Sequence, residues 1–234
     1  MYPAFLHFSH SPSRLFRLTA MHLHDRFAEF LSASEIIEAT PALLNDQRRR
    51  FVSSPDIVLQ PNSVESVQKI MRFCFENRIR VTPQGGNTGL CGATVTTEGV
   101  LLNLSKLNRI RDINLADNSM TIEAGVILQN AQKAATEAGR LFPLSLASEG
   151  SCQIGGNIAC NAGGLNVLRY GSMRDLVLGL EVVLPNGELV SHLQPLHKNT
   201  TGYDLRHLFI GSEGTLGIIT AATLKLFAQP KTKA

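Results

Sequence analysis

Three glycine-rich segments hold the residues whose types and spacing could do chemistry. The first, residues 83–92, reads PQGGNTGLCG and directly follows a predicted strand. Because glycine has no Cβ, neighbouring backbone N–H groups in such a loop can turn toward one anion. Asn87 and Thr88 could add side-chain donors, and a diphosphate suits a nest of this kind. A flexible loop without a ligand is the alternative for this segment alone.

The second segment, residues 148–164, reads SEGSCQIGGNIACNAGG and is a long, almost uncharged stretch of small residues. A loop of this length costs conformational entropy, so we expect a flat ligand, or else tight turns on a neighbouring sheet, to hold it. The third, residues 211–219 (GSEGTLGII), is equally well explained by a turn that enters a strand. Together the three segments predict one large, elongated ligand with a diphosphate, bound mainly by backbone groups.

Other chemistries find little support in the composition and motifs. The sequence has no Gly-x-x-x-x-Gly-Lys-Ser/Thr loop and no Gly-x-Gly-x-x-Gly that opens a helix. Its four cysteines form no Cys-x-x-Cys pair and its seven histidines show no metal-binding spacing, so we expect reduced packing cysteines and no metal site. The net charge of +3 does not indicate a nucleic-acid partner. No apolar run has the ~18 residues that a transmembrane helix needs.

The hydrophobic pattern predicts the elements that must position these loops. A strand at 57–60, a helix at 64–75 and a strand at 80–82 form a strand–helix–strand unit with parallel pairing, and Asn62 with Glu65 reads as a capping box. Further along, Gly139 ends a helix, and Pro185-Asn186-Gly187 joins two strands as a hairpin. The remaining predicted elements are strands at 100–104, 119–124, 178–184, 188–190 and 216–227 and the helix at 126–138.

The expected organisation is a leader, two helices, one binding domain and a tail. Residues 1–21 are a leader or a misassigned start before Met21, and residues 22–50 are N-terminal helices separated by Pro41. The predicted segments that follow are the binding domain at 51–229, with lobe one at about 51–104 and lobe two at about 105–229, and a tail at 230–234.

With residues 166–171 (NVLRYG) and 199–205 (NTTGYDL), the three segments resemble the FAD-binding domain of the vanillyl-alcohol oxidase / p-cresol methylhydroxylase superfamily. The likeness covers roughly residues 50–228. Within the superfamily, the sequence is most similar to the group of D-2-hydroxyglutarate dehydrogenase, D-lactate dehydrogenase and the glycolate oxidase FAD subunit. The resemblance implies an α+β fold of the p-cresol methylhydroxylase type, with FAD between two lobes and the substrate (cap) domain absent.

The resemblance also implies which residues contact the cofactor. Relatives with covalently attached FAD often carry a histidine where this chain has Asn87, so we expect noncovalent FAD. The implied pyrophosphate contacts are Gly85, Gly86, Asn87, Thr88, Gly89 and Leu90, with Pro83 beside them. The implied ribityl and flavin contacts are Gly150, Ser151, Gly155, Gly156, Asn157, Ala159, Asn161 and Gly164. The remaining implied contacts are Tyr170 and Gly171 near the cofactor and Gly217, Ile218 and Ile219 by the adenosine end.

The implied activity is oxidation of a 2-hydroxyacid to the 2-oxoacid by hydride transfer to flavin N5, with a quinone, a cytochrome or an electron-transfer flavoprotein as electron acceptor. Family members carry the catalytic histidine, the substrate arginine and the metal-binding histidines in a further domain, so the catalytic residues are unknown here. We expect little turnover, a cytoplasmic location (mitochondrial matrix if residues 1–20 are a transit peptide) and self-association through an apolar face. The alternatives are a stand-alone or truncated FAD-binding module, a flavin reductase and a nucleotide-sugar binding protein.

Overall fold

The computed structural model describes residues 20–232, which form two lobes, each built on its own sheet. The elements of the first lobe are α1 (Ala20–Ala28), β1 (Ile36–Ile37), α2 (Pro41–Leu44), β2 (Ile57–Leu59), α3 (Val64–Glu76), β3 (Val81–Gln84) and β4 (Val100–Asn103). The elements of the second lobe are β5 (Ile110–Asn114), β6 (Ser119–Glu123), α4 (Leu128–Glu137), β7 (Arg140–Leu141), α5 (Ile154–Ala159), α6 (Val167–Tyr170), α7 (Met173–Leu176), β8 (Val177–Val183), β9 (Leu189–His192), α8 (Arg206–Phe209), β10 (Ile218–Lys225) and β11 (Phe227–Ala228).

The sheet of the first lobe is mainly parallel and places the first glycine segment at its edge. Strand β4 lies between β2 and β3 and runs parallel to both, which confirms the parallel pairing predicted from the strand–helix–strand pattern. Every residue of β4 is buried, as expected for a parallel strand that is covered on both faces. The glycine loop begins at the carboxyl end of β3, directly after Gln84.

The start of α3 differs from the predicted capping box. Ser63, not Asn62, is the N-cap, and its hydroxyl accepts a hydrogen bond from the N–H of Ser66. The N–H of Asn62 instead donates to the carboxylate of Glu35, 3.1 Å away. The two positions were hard to separate by sequence because Asn and Ser are both good N-cap residues.

Glu35 is a buried carboxylate, 4% exposed, that accepts hydrogen bonds from the N–H and hydroxyl of Ser32 as well as from Asn62. Burial raises the pKa of Glu35, but these bonds and one from Ser66 outweigh it and leave the pKa below its ordinary value. Since the folded pKa is the lower one, the carboxylate stabilises the fold above the unfolded pKa of about 4.3. That contribution is lost as the pH falls through the folded pKa.

We therefore predict that Glu35→Gln lowers the free energy of unfolding at pH 7 by about 1–3 kcal/mol and flattens its pH dependence below pH ~5. Urea unfolding from pH 3 to pH 7 measures both effects. Glu29→Gln is the matched control, because the Glu29 side chain is 61% exposed and pairs only with Arg26 in the described part of the chain. Equal pH profiles for the two variants would contradict the prediction.

The sheet of the second lobe is antiparallel, in the order β5-β6-β10-β8-β9. The predicted hairpin is confirmed: β8 pairs with β9, and Gly187 in the connecting turn has a φ of +82°. The predicted end of α4 is also confirmed, since Gly139 follows the helix with a φ of +69°. Edge strand β5 is not predicted by the pattern, because Arg111, Asp112 and Asn114 are polar and the first three residues of the strand are exposed.

Two expected features of the chain are corrected by the structure. Residues 22–50 are not simply two helices, because the β-branched pair Ile36 and Ile37 forms a strand that extends the first sheet by pairing with β2. Residues 148–164 are not a continuous loop, because α5 lies within them. Residues 1–19, most of the predicted leader, and residues 233–234 of the tail lie outside the described part.

The cores of the two lobes meet between the sheets. The first lobe's core contains Phe27 and Leu59, both fully buried, and also Val183 and Ile218, which belong to β8 and β10 of the second lobe. The second lobe has its own larger cluster, formed where α4 and α5 pack on the inner face of its sheet. Among the described residues, no helix has the length and apolar character needed to cross a membrane.

Candidate functional site

The first glycine loop presents a row of free backbone donors. Within residues 20–232, no N–H group from residue 85 to residue 92 donates a hydrogen bond to the protein. Asn87, in the middle of the loop, has a φ of +53°, a left-handed conformation that turns the direction of successive N–H groups. Unpaired and partly buried backbone N–H groups call for a ligand or water as acceptor, and this arrangement favours an anion.

The second glycine segment lies against the first at backbone distance. A Cβ on Gly86 would overlap the carbonyl oxygen of Ser151, so this position admits only glycine without a shift of backbone. A Cβ on Gly85 would lie 3.3 Å from Oε1 of Gln153 and 3.9 Å from the backbone nitrogen of Gly156. The glycines of the two segments therefore permit this close approach.

The third glycine segment completes the arrangement. The N–H of Gly211 donates to the carbonyl of Ile158 at 3.1 Å, and that of Glu213 donates to the carbonyl of Ala159 at 2.9 Å. A Cβ on Gly214 would overlap the ring of Pro83 in the first segment. The three segments thus converge in space, although residues 93–210 lie between the first and the last in the sequence.

A cleft of about 610 Å³, partly open to solvent, lies where the segments meet. Its walls are mostly apolar and come from both lobes. The predicted site residues that line it are Pro83, Gly85, Gly155, Gly156, Ala159, Gly217, Ile218 and Ile219. The lining residues that the sequence reasoning missed are Gln84, Ala93, Thr94, Leu104, Ala124, Gln153, Cys160, Glu213 and Gly214. Five of these residues lie inside the three glycine segments, and that position was the sequence signal by which they could have been found. They are Gln84, Gln153, Cys160, Glu213 and Gly214.

Several predicted residues do not line the cleft, and three of them make close contacts within the second lobe. The Oδ1 atom of Asn161 accepts a hydrogen bond from the N–H of Arg174, and the amide of buried Asn157 lies 3.5 Å from Sγ of Cys152. A Cβ on Gly164 would overlap the carbonyl oxygen of Ser145. The remaining members of this group, which do not line the cleft, are Gly86, Asn87, Thr88, Gly89 and Leu90 on the first loop and Gly150 and Ser151 before α5.

Tyr170 and Gly171 do not line the cleft. The ring of Tyr170 packs edge to face on Phe227, with centroids 4.8 Å apart, next to the core of the second lobe. Gly171 has a φ of +81° and packs against Asp175. These contacts give both residues a packing role.

The structure corrects two further expectations about side chains. The amide of Asn87 is not a free donor, because Nδ2 already donates to the carbonyls of Ala42 and Asn45. The cysteines are all free thiols, but only Cys74 and Cys152 are buried packing residues. The other two, Cys91 and Cys160, are exposed. Partial desolvation of the Cys160 sulfur, together with the nearby Glu213 and Cys91, raises the pKa of this thiol above its ordinary value even though part of the residue is exposed.

A larger cavity, about 1160 Å³, lies between β8, β9 and residues 199–206. None of the three glycine segments lines it. Its charged pair is already satisfied, since Arg206 binds both carboxylate oxygens of Asp204 and the carbonyl of Leu178. The free N–H row therefore assigns the functional site to the smaller cleft.

A row of free N–H groups that begins at Gly85, a residue lining an apolar cleft between two α+β lobes, is the arrangement of a dinucleotide-binding protein. The family described as "FAD binding domain" matches residues 55–192, more than half of the chain. The chain belongs to this family, and FAD is its cofactor. Among the described residues there is no cluster of His, Cys, Asp and Glu that could hold a metal ion.

The chain is also similar to individual proteins, both in sequence and in fold. The chain is 42% identical over 211 residues to a D-2-hydroxyglutarate–pyruvate transhydrogenase of Saccharomyces cerevisiae, covering 88% of this chain and 42% of the relative. It is 47% identical over 186 residues to a D-2-hydroxyglutarate dehydrogenase of Xanthomonas citri pv. viticola, covering 79% and 39%. A solved alkyldihydroxyacetonephosphate synthase matches with a TM-score of 0.78 at 21% identity, covering 91% and 44%. The chain thus spans about two fifths of the length of these relatives, and the predicted two-lobed fold of the p-cresol methylhydroxylase type is confirmed.

The residues present fit FAD. Gln153 is 7% exposed, its Nε2 donates to Ser105, and its Oε1 is a buried atom without a hydrogen-bond partner in the described chain. That oxygen faces the space beside Gly85, where a ligand donor would satisfy it. A Cβ on Gly156 would meet no atom within 4 Å, so the cleft wall has open room there. The site therefore offers the N–H groups of the first loop as donors for a diphosphate. It also offers the buried Oε1 atom of Gln153 as an acceptor and an apolar wall with open room at Gly156.

Proposed function

We propose that this chain supplies the FAD site of a flavin-dependent dehydrogenase that oxidises a 2-hydroxyacid, such as D-2-hydroxyglutarate, D-lactate or glycolate, to the 2-oxoacid. The observation that carries the proposal is the row of free N–H groups in residues 85–92, which begins at Gly85 in the lining of the apolar cleft. The names of the two sequence relatives support the choice of D-2-hydroxyglutarate as first candidate. When bound, FAD would supply the hydride acceptor for the substrate's Cα–H, while a base would take the proton of the substrate hydroxyl.

In this proposal the chain's own residues bind and orient the cofactor. The first loop holds the pyrophosphate through backbone N–H groups, with Gly85 and Gly86 lying against the second segment. Gly156 and Ala159 leave room for the ribityl chain and ring, whereas Gly155 lets α5 lie close to Ala124. Gly217 and Ile218 form the wall assigned to the adenosine end. We propose noncovalent binding, because residue 87 is an asparagine whose amide is already bonded to two carbonyls.

Substrate binding needs a group that this cleft does not offer. The ionisable residues among the described lining residues are Cys160 and Glu213, and neither is a cation at neutral pH. A 2-hydroxyacid carboxylate is best held by a charge-assisted pair, most often with arginine. We therefore propose that the 234-residue chain alone binds FAD but turns over slowly. In the full enzyme the electrons pass to a quinone, a cytochrome or an electron-transfer flavoprotein.

The proposal is tested by adding FAD to the purified chain. We expect quenched flavin fluorescence and thermal protection, since a ligand at 100 times its Kd stabilises the folded state by about 2.7 kcal/mol. A dye-linked assay with D-2-hydroxyglutarate, D-lactate and glycolate then measures turnover, which we expect to be slow. No FAD binding would refute the cofactor site. Rapid turnover would refute the claim that the substrate clamp lies outside this cleft.

Exposed apolar side chains bear on whether the chain associates with itself. Leu165, Leu168 and Tyr203 are 89%, 103% and 94% exposed, and we propose that exposed apolar side chains such as these drive self-association. Light scattering that shows a monomer at high concentration would contradict this.

The exposed free thiols of Cys91 and Cys160 favour a reducing compartment, and we propose the cytoplasm or, alternatively, the mitochondrial matrix.

A further inference from the structure

The first glycine loop is fastened to residues 41–51 by side-chain hydrogen bonds. Nδ2 of Asn87 donates to the carbonyl of Ala42 at 3.1 Å and to that of Asn45 at 2.7 Å. Just before the loop, Nε2 of Gln84 donates to the carbonyl of Leu43 at 2.9 Å. The carbonyls at the end of α2, which a short helix leaves without intrahelical partners, thus serve as acceptors for the loop.

Other hydrogen bonds hold in place both the Asn87 side chain and the segment 41–51 to which it bonds. Oδ1 of Asn87 accepts a hydrogen bond from the hydroxyl of Thr94 at 2.8 Å, so every polar atom of the Asn87 side chain is engaged. Farther along the loop, the guanidinium of Arg50 donates to the carbonyl of Leu90 at 2.7 Å. The carboxylate of Asp46, 3% exposed, accepts from the N–H groups of Arg50 and Phe51 and so holds the turn that presents Arg50.

We propose that Asn87 is a positioning residue for the diphosphate: its side chain fastens the loop to residues 41–45 and so sets the direction of the loop's free N–H groups. The residue occupies a left-handed conformation, with a φ of +53°, which asparagine tolerates better than most residues. Turning that one residue would redirect the N–H groups on either side of it. The inference rests on the proposed FAD site and deepens it.

The proposal makes α2 part of the cofactor site. The family match begins at residue 55, and the carbonyls that bind Asn87 lie ten or more residues before it.

The test compares Asn87→Asp with a matched control, Asn77→Asp. The Asn77 amide also donates to one backbone carbonyl, that of Phe73 at 2.8 Å, but it caps α3 away from the loop. Aspartate at 87 has the same shape but would place a carboxylate against two carbonyl oxygens. We expect Asn87→Asp to weaken FAD binding by about tenfold or more, while Asn77→Asp leaves it within about twofold of the wild type.

A second readout separates positioning from general destabilisation. With saturating FAD, we expect hydrogen exchange of the amides at 85–92 to be protected in the wild type and less so in Asn87→Asp, with amides of α5 unchanged. Should Asn87→Asp fail to fold, Asn87→Gly tests the same point, since glycine accepts the positive φ but lacks the amide. We expect it to weaken FAD binding by about threefold or more.

The outcomes are distinct. Weaker FAD binding by the Asn87 variants alone supports the proposal. Wild-type affinity and wild-type loop protection in Asn87→Asp or Asn87→Gly would overturn it, and so would an equal loss in Asn77→Asp. If the wild-type chain itself binds no FAD, the proposed function fails first, and that result is visible before any variant is compared.

Discussion

Replacing Gly156 with valine is expected to weaken FAD binding by about 10- to 100-fold while the fold survives. Gly156 lies in α5 and lines the cleft, and a Cβ there would meet no protein atom within 4 Å. Added methyl groups would therefore occupy only the space assigned to the ligand. Because valine in a helix costs no more than glycine, the apo protein should keep its stability within about 1 kcal/mol.

Fluorescence titration measures the affinity for FAD, and urea unfolding measures the stability of the apo protein. Gly156→Ala should give an intermediate loss of affinity, since it adds one methyl group. Lys133→Val, on the exposed side of α4, is a control for adding valine to a helix surface outside the cleft. If Gly156→Val binds FAD as tightly as the wild type, the ligand does not lie along this wall.

Gly86→Ala is expected to damage both the fold and the site. The new Cβ would overlap the carbonyl oxygen of Ser151 and lie 3.2 Å from Cα of Cys152, and backbone atoms cannot move aside as a flexible side chain can. We expect the free energy of unfolding to fall by about 2–3 kcal/mol and FAD binding to fall below detection, because the first two glycine segments must separate.

Thermal unfolding in the absence and presence of FAD checks this expectation. Gly89→Ala is the matched control from the same loop, since a Cβ at that position would contact nothing within 4 Å. The apo stability of Gly89→Ala should match the wild type. A Gly86→Ala protein with wild-type stability would show that the two segments are not in the close contact described here.

Sequence reasoning reached the parts of the site that depend on backbone chemistry. The three glycine segments stand out because close backbone approach and free N–H groups both require residues without a Cβ. The parallel unit around β4 and the hairpin at Gly187 were also predictable, since hydrophobic runs and Asn-Gly turns are local signals.

Features that depend on contacts between distant segments could not be predicted in this way. Nothing local marks Gln153 as a buried amide with an unmatched oxygen, because its burial depends on how α5 packs against the first loop. The same holds for Asn87, whose partners lie more than 40 residues earlier. The contact between the rings of Tyr170 and Phe227 is a further example, because no local pattern indicates it.

The packing of Val183 and Ile218 into the core of the first lobe bears on how the protein melts. Strands of one lobe complete the interior of the other, so neither lobe can lose its structure without exposing apolar surface in both. Calorimetry should then record a single cooperative transition, whose enthalpy belongs to the whole unit. Two fragments produced by a cut between residues 104 and 110 would each be left with exposed apolar surface.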